Sequence, residues 1–389
     1  MPKGFLFNAV SAGIKAPGRL DLGLIFSERP SVAVGTFTTN LVKAAPVLIG
    51  QSRLPSSSVR GILVNSGCAN ACTGSLGLED AERLLKEAAR LLAVEEKELL
   101  PASTGVIGER LPLGKMLSVL PELVSGLSAE KVEPLAQAIM TTDTFPKVAE
   151  RVLPLGSSEV RLLGIAKGAG MIAPHMATML AFILTDAQIP APVWQDLLRE
   201  AVSLSFNRIT VDGDMSTNDT VYALANGASG LSLGSQDLAQ FSRLLKELCQ
   251  ELAYLIVKDG EGATKTVRIR VCGAEDEEKA LTMARTVANS LLVKTAFFGE
   301  DPNWGRILAA LGRSGVEFDP YQVDLFFDEV CLVKNGLSQG KEAEAKAHEI
   351  MKKREFTLTI LLKRGNADAE VWTSDLSYEY VKINAEYRT

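Results

Sequence analysis

Apolar and polar positions divide the chain into short runs that change period from one stretch to the next. Near the N-terminus, 22–26, 32–37 and 61–65 are compact apolar runs between turn residues, the pattern of strands. Ala81, Leu84, Leu85, Ala88, Leu91 and Leu92 then recur at three- and four-residue intervals, which predicts a helix over 78–93. Residues 101–108, bounded by Pro and Gly, predict a loop or tight turn. Helical segments broken near Pro121 and Pro134 follow over 113–140. The run 179–184, ended by Thr185 and Asp186, predicts a buried strand. Beyond it come a helix over 191–206, a polar turn over 207–219 and a long amphipathic helix over 235–257. A strand over 266–271, a helix over 276–292 and strands over 323–327, 356–362 and 369–372 complete the pattern. Strands and helices interleave on both sides of residue 178, which predicts a layered α/β body without repeats or linkers.

Composition narrows this picture modestly. With 389 residues, 47% hydrophobic and 23% charged, the chain has room for two domains or one large layered body. A net charge of −6 argues against a nucleic-acid partner. The N-terminus lacks the apolar core of a signal peptide, and no apolar stretch is long enough to span a bilayer, so a cytoplasmic protein is expected. Five scattered cysteines, Cys68, Cys72, Cys249, Cys272 and Cys331, fit reduced thiols. With only His175 and His348 available, an N/S metal site would be hard to complete; neither metal nor resident cofactor is expected.

Candidate chemistry centres on 165–180. A Gly-rich segment leads through Pro174 to Ala177-Thr178, immediately before the apolar run. A hydroxyl at the lip of a rigid element suits a nucleophile, although a Thr opening a strand also serves β propensity. Thr104-Gly105 is a turn-like step whose backbone N–H groups would suit an oxyanion hole. Thr141-Thr142-Asp143-Thr144 reads equally as a helix cap. Glu261, between two glycines, can approach a ligand closely or sit in a solvated turn. Asp212, Asp214 and Asp219 lack the closing Glu of a calcium loop and read as an ordered turn. Arg306 is either an anion ligand or a stitch between loops.

The segment Lys167-Gly168-Ala169-Gly170-Met171-Ile172-Ala173-Pro174 with Met176-Ala177-Thr178-Met179-Leu180 resembles the signature of the ornithine acetyltransferase family, also called glutamate N-acetyltransferases. So do 35–40, 65–71, 103–108, 141–144, 259–265 and 380–389, in order along the whole chain. The resemblance implies an αββα-type layered sandwich and self-cleavage between Ala177 and Thr178. Residues 1–177 would form an alpha chain and 178–389 a beta chain, with two of each in a heterotetramer. It further implies Thr178 as N-terminal nucleophile and Thr104 with Gly105 as the oxyanion-hole pair. Thr141, Lys167, Thr178, Glu261, Asn384 and Thr389 correspond to substrate-contacting positions.

The implied reaction moves acetyl from N-acetylornithine to glutamate through an acyl-Thr178, in arginine biosynthesis. Acetyl-CoA is a further co-substrate used by some members. Within it, Lys167 is expected to meet the α-carboxylate and Glu261 with Asn384 the distal end. An autoprocessed amidohydrolase or aminopeptidase, and a non-catalytic α/β ligand-binding protein, are the alternatives that only assay separates.

Overall fold

The computed structural model describes residues 1–173 and 179–386. His175, Ala177, Thr178 and Thr389 therefore lie outside the described residues. The first sheet holds β1 (Phe5–Val10), β2 (Leu22–Phe37), β3 (Ser56–Cys68), β4 (Leu99–Val106), β5 (Lys147–Leu155), β6 (Ser158–Lys167) and β7 (Leu180–Thr185). After β8 (Ile209–Thr210), which belongs elsewhere, β9 (Thr220–Ala225) completes it in the order β4-β3-β2-β9-β7-β6-β5, with β1 paired to β2.

The long β2 strand makes this one sheet into two leaves. Residues 22–27 pair with β1, and 32–37 pair with β9. Between them Glu28, Arg29 and Pro30 are exposed, and the β2–β3 register shifts between Phe26 and Ser31. Phe7, Ile25, Ile62 and Leu100 from one leaf share a single buried cluster with Leu163, Ile165, Phe182 and Tyr222 from the other. The leaves thus face each other.

Helices α1 (Ala45–Arg53), α2 (Gly74–Leu92), α3 (Leu113–Ser125) and α4 (Val132–Ala138) come from the N-terminal half. The apolar stripes of α2 and α3 cover Leu22, Leu24, Leu63 and Leu99 on the outside of the first leaf. On the outside of the second, α5 (Ala191–Ser203) and α6 (Ser235–Lys258) cover Leu162, Ala181, Ile183 and Val221. Helix, leaf, leaf, helix is the expected αββα sandwich. It also explains why β7 is apolar without alternation: Leu180, Phe182 and Leu184 face the inner core, and Ala181 and Ile183 the helices.

A second sheet, ordered β13-β12-β11-β14-β10-β15-β8, contains β10 (Thr266–Ala274), β11 (Asp324–Phe327), β12 (Val330–Lys334), β13 (Leu337–Ser338), β14 (Glu355–Leu361) and β15 (Ala367–Ser374). Its apolar face, Val267, Ile269 and Val271 among others, is covered by α7 (Glu277–Ala288), α8 (Leu291–Phe298), α9 (Trp304–Gly312) and α10 (Lys341–Met351). Helix α11 (Tyr378–Glu386) ends the described chain, in a segment to which the apolar pattern assigns no element.

Three local expectations change. Thr104 and Gly105 lie in β4, not in a loop, because parallel pairing with β3 continues past the Gly-Pro punctuation. Pro121 sits inside α3 on its exposed face, where solvent can serve the carbonyl left without a donor. Pro134 falls in the first turn of α4, whose N–H groups have no helical partner. The helix predicted over 276–292 breaks between α7 and α8. Among the described residues, no helix is long and apolar enough to cross a membrane.

Candidate active site

The C-terminal end of β4, the turns at 141–144, 168–173 and 211–219, the turn carrying Glu261, and α11 surround one cavity of about 220 Å³. Thr104, Gly105, Thr141, Gly170, Glu261 and Asn384 are among its lining residues. The described positions that carry the resemblance, Thr104, Gly105, Thr141, Glu261 and Asn384, far apart along the chain, are therefore brought together.

Thr104 and Gly105 are fixed by close approach of two strands. Gly105 has φ +132°, and a Cβ there would lie 2.3 Å from the carbonyl carbon of Gly67 and 2.6 Å from the nitrogen of Cys68. No L side chain fits. Asn218 braces the same strand, its amide nitrogen donating to the carbonyls of Ser103 (2.8 Å) and Ala69 (2.7 Å).

Lys167, the last residue of β6, is buried and donates to Thr141 Oγ1 (2.9 Å) and Thr104 Oγ1 (3.3 Å). Because Thr104 Oγ1 accepts that bond, its own O–H is available to another acceptor. Asp143 Oδ2 stands 3.9 Å from the Lys167 amine. Burial pulls the Lys167 amine below the ordinary lysine value, and Asp143 opposes that pull. Burial alone would push the Asp143 carboxyl up; the Lys167 and Lys147 ammoniums outweigh it and hold the group below the usual carboxylate range.

Glu261 forms the opposite wall. Its N–H donates to Ala169 O (2.9 Å), and its Oε2 accepts from Asn384 Nδ2 (2.7 Å). A Cβ on Gly170 would fall 2.2 Å from the Glu261 carboxyl carbon, so the glycine makes room for the carboxylate. Beside it, Asp212 Oδ2 accepts from the N–H of Met171 (2.6 Å) and the hydroxyl of Tyr380 (3.2 Å), while Oδ1 accepts from Ile172 N–H (2.8 Å). Burial raises the carboxyl of Asp212 above its ordinary value. The three-aspartate turn is thus engaged in holding backbone.

Both flanks of residues 174–178 are clamped to this wall. Ile172 O accepts from Val211 N–H (2.8 Å). Met179 N–H donates to Asp219 Oδ1 (3.0 Å), and Met179 O accepts from Thr220 N–H (3.2 Å). Asp219 is fully buried, and burial pushes its carboxyl well above the ordinary range. Arg306 lies elsewhere and donates to Leu292 O (3.0 Å), joining α9 to α8, so it is a stitch. Asp143, Lys147, Asn218, Asp219 and Tyr380 belong to the site but were not assigned a role from sequence. Buried hydrogen bonding imposes no period, so only the resemblance-bearing segments around Asp143 and Tyr380 pointed near them.

The arrangement offers two hydroxyls and a buried ammonium on one side of a small cavity and a carboxylate with an amide on the other. It suits a small zwitterion with a polar group at each end. The chain is also similar to known proteins along its length. A sequence profile of the ArgJ family matches residues 6–389. The arginine biosynthesis bifunctional protein ArgJ of Geobacter sulfurreducens is 53% identical over 391 residues, covering 100% of this chain and 99% of that protein. The protein of the same name from Desulfotalea psychrophila is 53% identical over 390 residues, covering 100% and 99%. The crystal structure of the arginine biosynthesis bifunctional protein argJ from Bacillus halodurans matches with a TM-score of 0.51 and 38% identity, over 53% of this chain and 98% of that one.

Proposed function

The chain belongs to the ArgJ family, and from that premise we propose that Thr178, exposed as a new N-terminus by self-cleavage after Ala177, is the nucleophile of an acetyl transfer. The protein is an N-acetyltransferase that moves the acetyl group of N2-acetylornithine to glutamate. The observation that carries the residue assignment is the convergence of Thr104, Gly105, Thr141, Lys167, Glu261 and Asn384 beside the Met179 flank. Lys167 is the register partner of Leu180.

In this reading the Thr178 hydroxyl attacks the acetyl carbonyl while its α-amino group takes the proton. That amine has an unperturbed pKa of about 7.7–8.0, which leaves a neutral fraction near pH 7. The Oγ–C bond forms, the C–N bond breaks, and the proton passes to the departing amine of ornithine. Glutamate's amine then attacks the ester and restores the hydroxyl. The Thr104 O–H and Gly105 N–H stabilise the oxyanion in both halves. Acetyl-CoA as a second donor to the same hydroxyl accords with the word bifunctional in the relatives' names.

Lys167 takes the α-carboxylate common to both substrates, and Glu261 faces the distal ammonium of ornithine. An ionised Glu261 repels glutamate's distal carboxylate, and Asn384 and Thr389 are the donors on offer there. Glu261→Gln is therefore expected to weaken kcat/KM for acetylornithine by roughly tenfold or more and for glutamate much less. Steady-state kinetics with each substrate varied checks this; equal losses would end the division of labour.

The proposed cut separates residues 1–177 from 178–389, yet β6 and β7 pair from Leu162↔Thr185 to Lys167↔Leu180 across it. The second leaf would hold strands from both pieces, so the cut chains should co-elute in native buffer and part only on denaturation. Size exclusion followed by denaturing electrophoresis tests this; loss of either piece under native conditions would contradict it. We place the enzyme in the cytoplasm as two alpha and two beta chains.

A further inference from the structure

Behind the cavity wall four buried charges form a neutral line. Lys167 Nζ stands 3.9 Å from Asp143 Oδ2, Lys147 Nζ lies 2.8 Å from Asp143 Oδ1, and the same amine lies 2.6 Å from Asp259 Oδ2. None of the four side chains is more than 2% exposed. Asp143 does more than neutralise. Its Oδ2 accepts from the N–H of Thr141 (3.0 Å), and its Oδ1 from the N–H of Gly168 (2.7 Å). One carboxylate therefore holds the backbone of Thr141, the backbone just after Lys167, and the Lys167 amine itself. Further along, Asp259 accepts from the N–H and hydroxyl of Thr144 and opens the turn that carries Glu261.

We infer that Asp143 is the positioning residue of the α-carboxylate subsite, and that Lys147 and Asp259 tie this subsite to the Glu261 turn as one rigid gauge. The inference rests on the reading of Lys167 as the group that meets the substrate α-carboxylate. Ornithine and glutamate share a carbon-chain length, so one fixed separation between Lys167 and the Glu261 wall serves both substrates. A charge pair broken inside the fold, by contrast, would leave the buried Lys167 ammonium without its carboxylate, held by the Thr141 and Thr104 hydroxyls alone.

The charged groups facing Lys167 are Asp143, Lys147, Glu261 and Asp219, with Lys15 at the rim. Burial lowers the amine's proton affinity and Asp143 is the largest influence raising it. Asp143→Asn keeps the size of the side chain but removes that support, so Lys167 loses its proton at a lower pH than in the parent. The expected result is a KM increase of about tenfold for acetylornithine and glutamate alike, a much smaller change in kcat, and an alkaline rise in KM displaced towards neutral pH. A residue that served only to hold the fold would change KM without moving that limb.

Lys167→Gln, run in parallel, separates the two layers of the argument. Unchanged KM in Lys167→Gln would overturn the reading of Lys167 itself. Raised KM in Lys167→Gln with an unmoved alkaline limb in Asp143→Asn would overturn the inference alone. Should Asp143→Asn fail to fold, Asp143→Glu decides: the charge remains while the geometry shifts. KM should then rise with the limb in place, and the discrimination between acetylornithine and N2-acetyllysine, one methylene longer, should change. Parental KM values and parental discrimination in Asp143→Glu would refute the gauge.

Discussion

Thr178→Ala is expected to abolish acetyl transfer and to leave the chain uncut. The same hydroxyl performs both reactions in the proposed scheme, by attack on the Ala177 carbonyl during maturation and on the acetyl carbonyl during turnover. The hydroxyls of Thr104 and Thr141, which line the same cavity, already accept hydrogen bonds from the Lys167 ammonium, which makes each oxygen less nucleophilic. Deleting the nucleophile of an acyl-transfer site costs on the order of 10⁶ in kcat where measured in a comparable system. Activity below detection, with substrate still binding by calorimetry, is the expected pair of results. Transfer at more than a few per cent of the parental rate would exclude Thr178 as the nucleophile.

Gly105→Ala should produce the second-largest effect. Its added Cβ would collide with backbone atoms of Gly67 and Cys68, which cannot swing aside as a side chain would. The residue would also have to keep φ +132°, where a non-glycine residue costs roughly 1–3 kcal/mol. The strand ends must part, carrying the Gly105 N–H and the Thr104 hydroxyl away from the place where the oxyanion forms. A fall in kcat of about 10²–10³, the usual cost of losing one such donor, is expected together with a lowered Tm. Thr104→Ala tests the partner donor without the collision and should lower kcat with a smaller fall in Tm, because the buried Lys167 amine loses one acceptor. A Gly105→Ala protein with parental kcat would remove this pair from the mechanism.

Much of the architecture was legible because it follows from burial. The β7 run was recognisable as a core strand, since a strand covered on both faces needs apolar residues at every position. Helix α2 was equally plain from its six periodic apolar residues. The two-leaf arrangement was not readable from local pattern, because it depends on the turn of β2 at Glu28–Pro30, and exposed polar residues there look like any loop. Gly105 misled in the opposite direction: a glycine demanded by close strand approach has the same letter as a glycine in a turn.

The site divides along the same line. Thr104, Thr141, Lys167, Glu261 and Asn384 were proposed through resemblance, with their chemistry consistent with their residue types, and the fold gathers them. The buried partners were silent. Asp143 and Lys147 are four residues apart, a spacing that would suggest a helical pair, yet Lys147 opens a strand and the pair is buried. Asp219 gave no sign that its carboxylate receives the first described N–H after residue 178.

The most direct test of the central claim is the intact mass of the freshly purified parental protein under denaturing conditions, followed by N-terminal sequencing. Cleavage before Thr178 predicts chains of 177 and 212 residues, roughly 19 and 23 kDa by proportion of the 41.7 kDa total, the larger beginning Thr-Met-Leu. A single 41.7 kDa chain with full transfer activity would contradict the account, because its α-amino base and its nucleophile both depend on that cut.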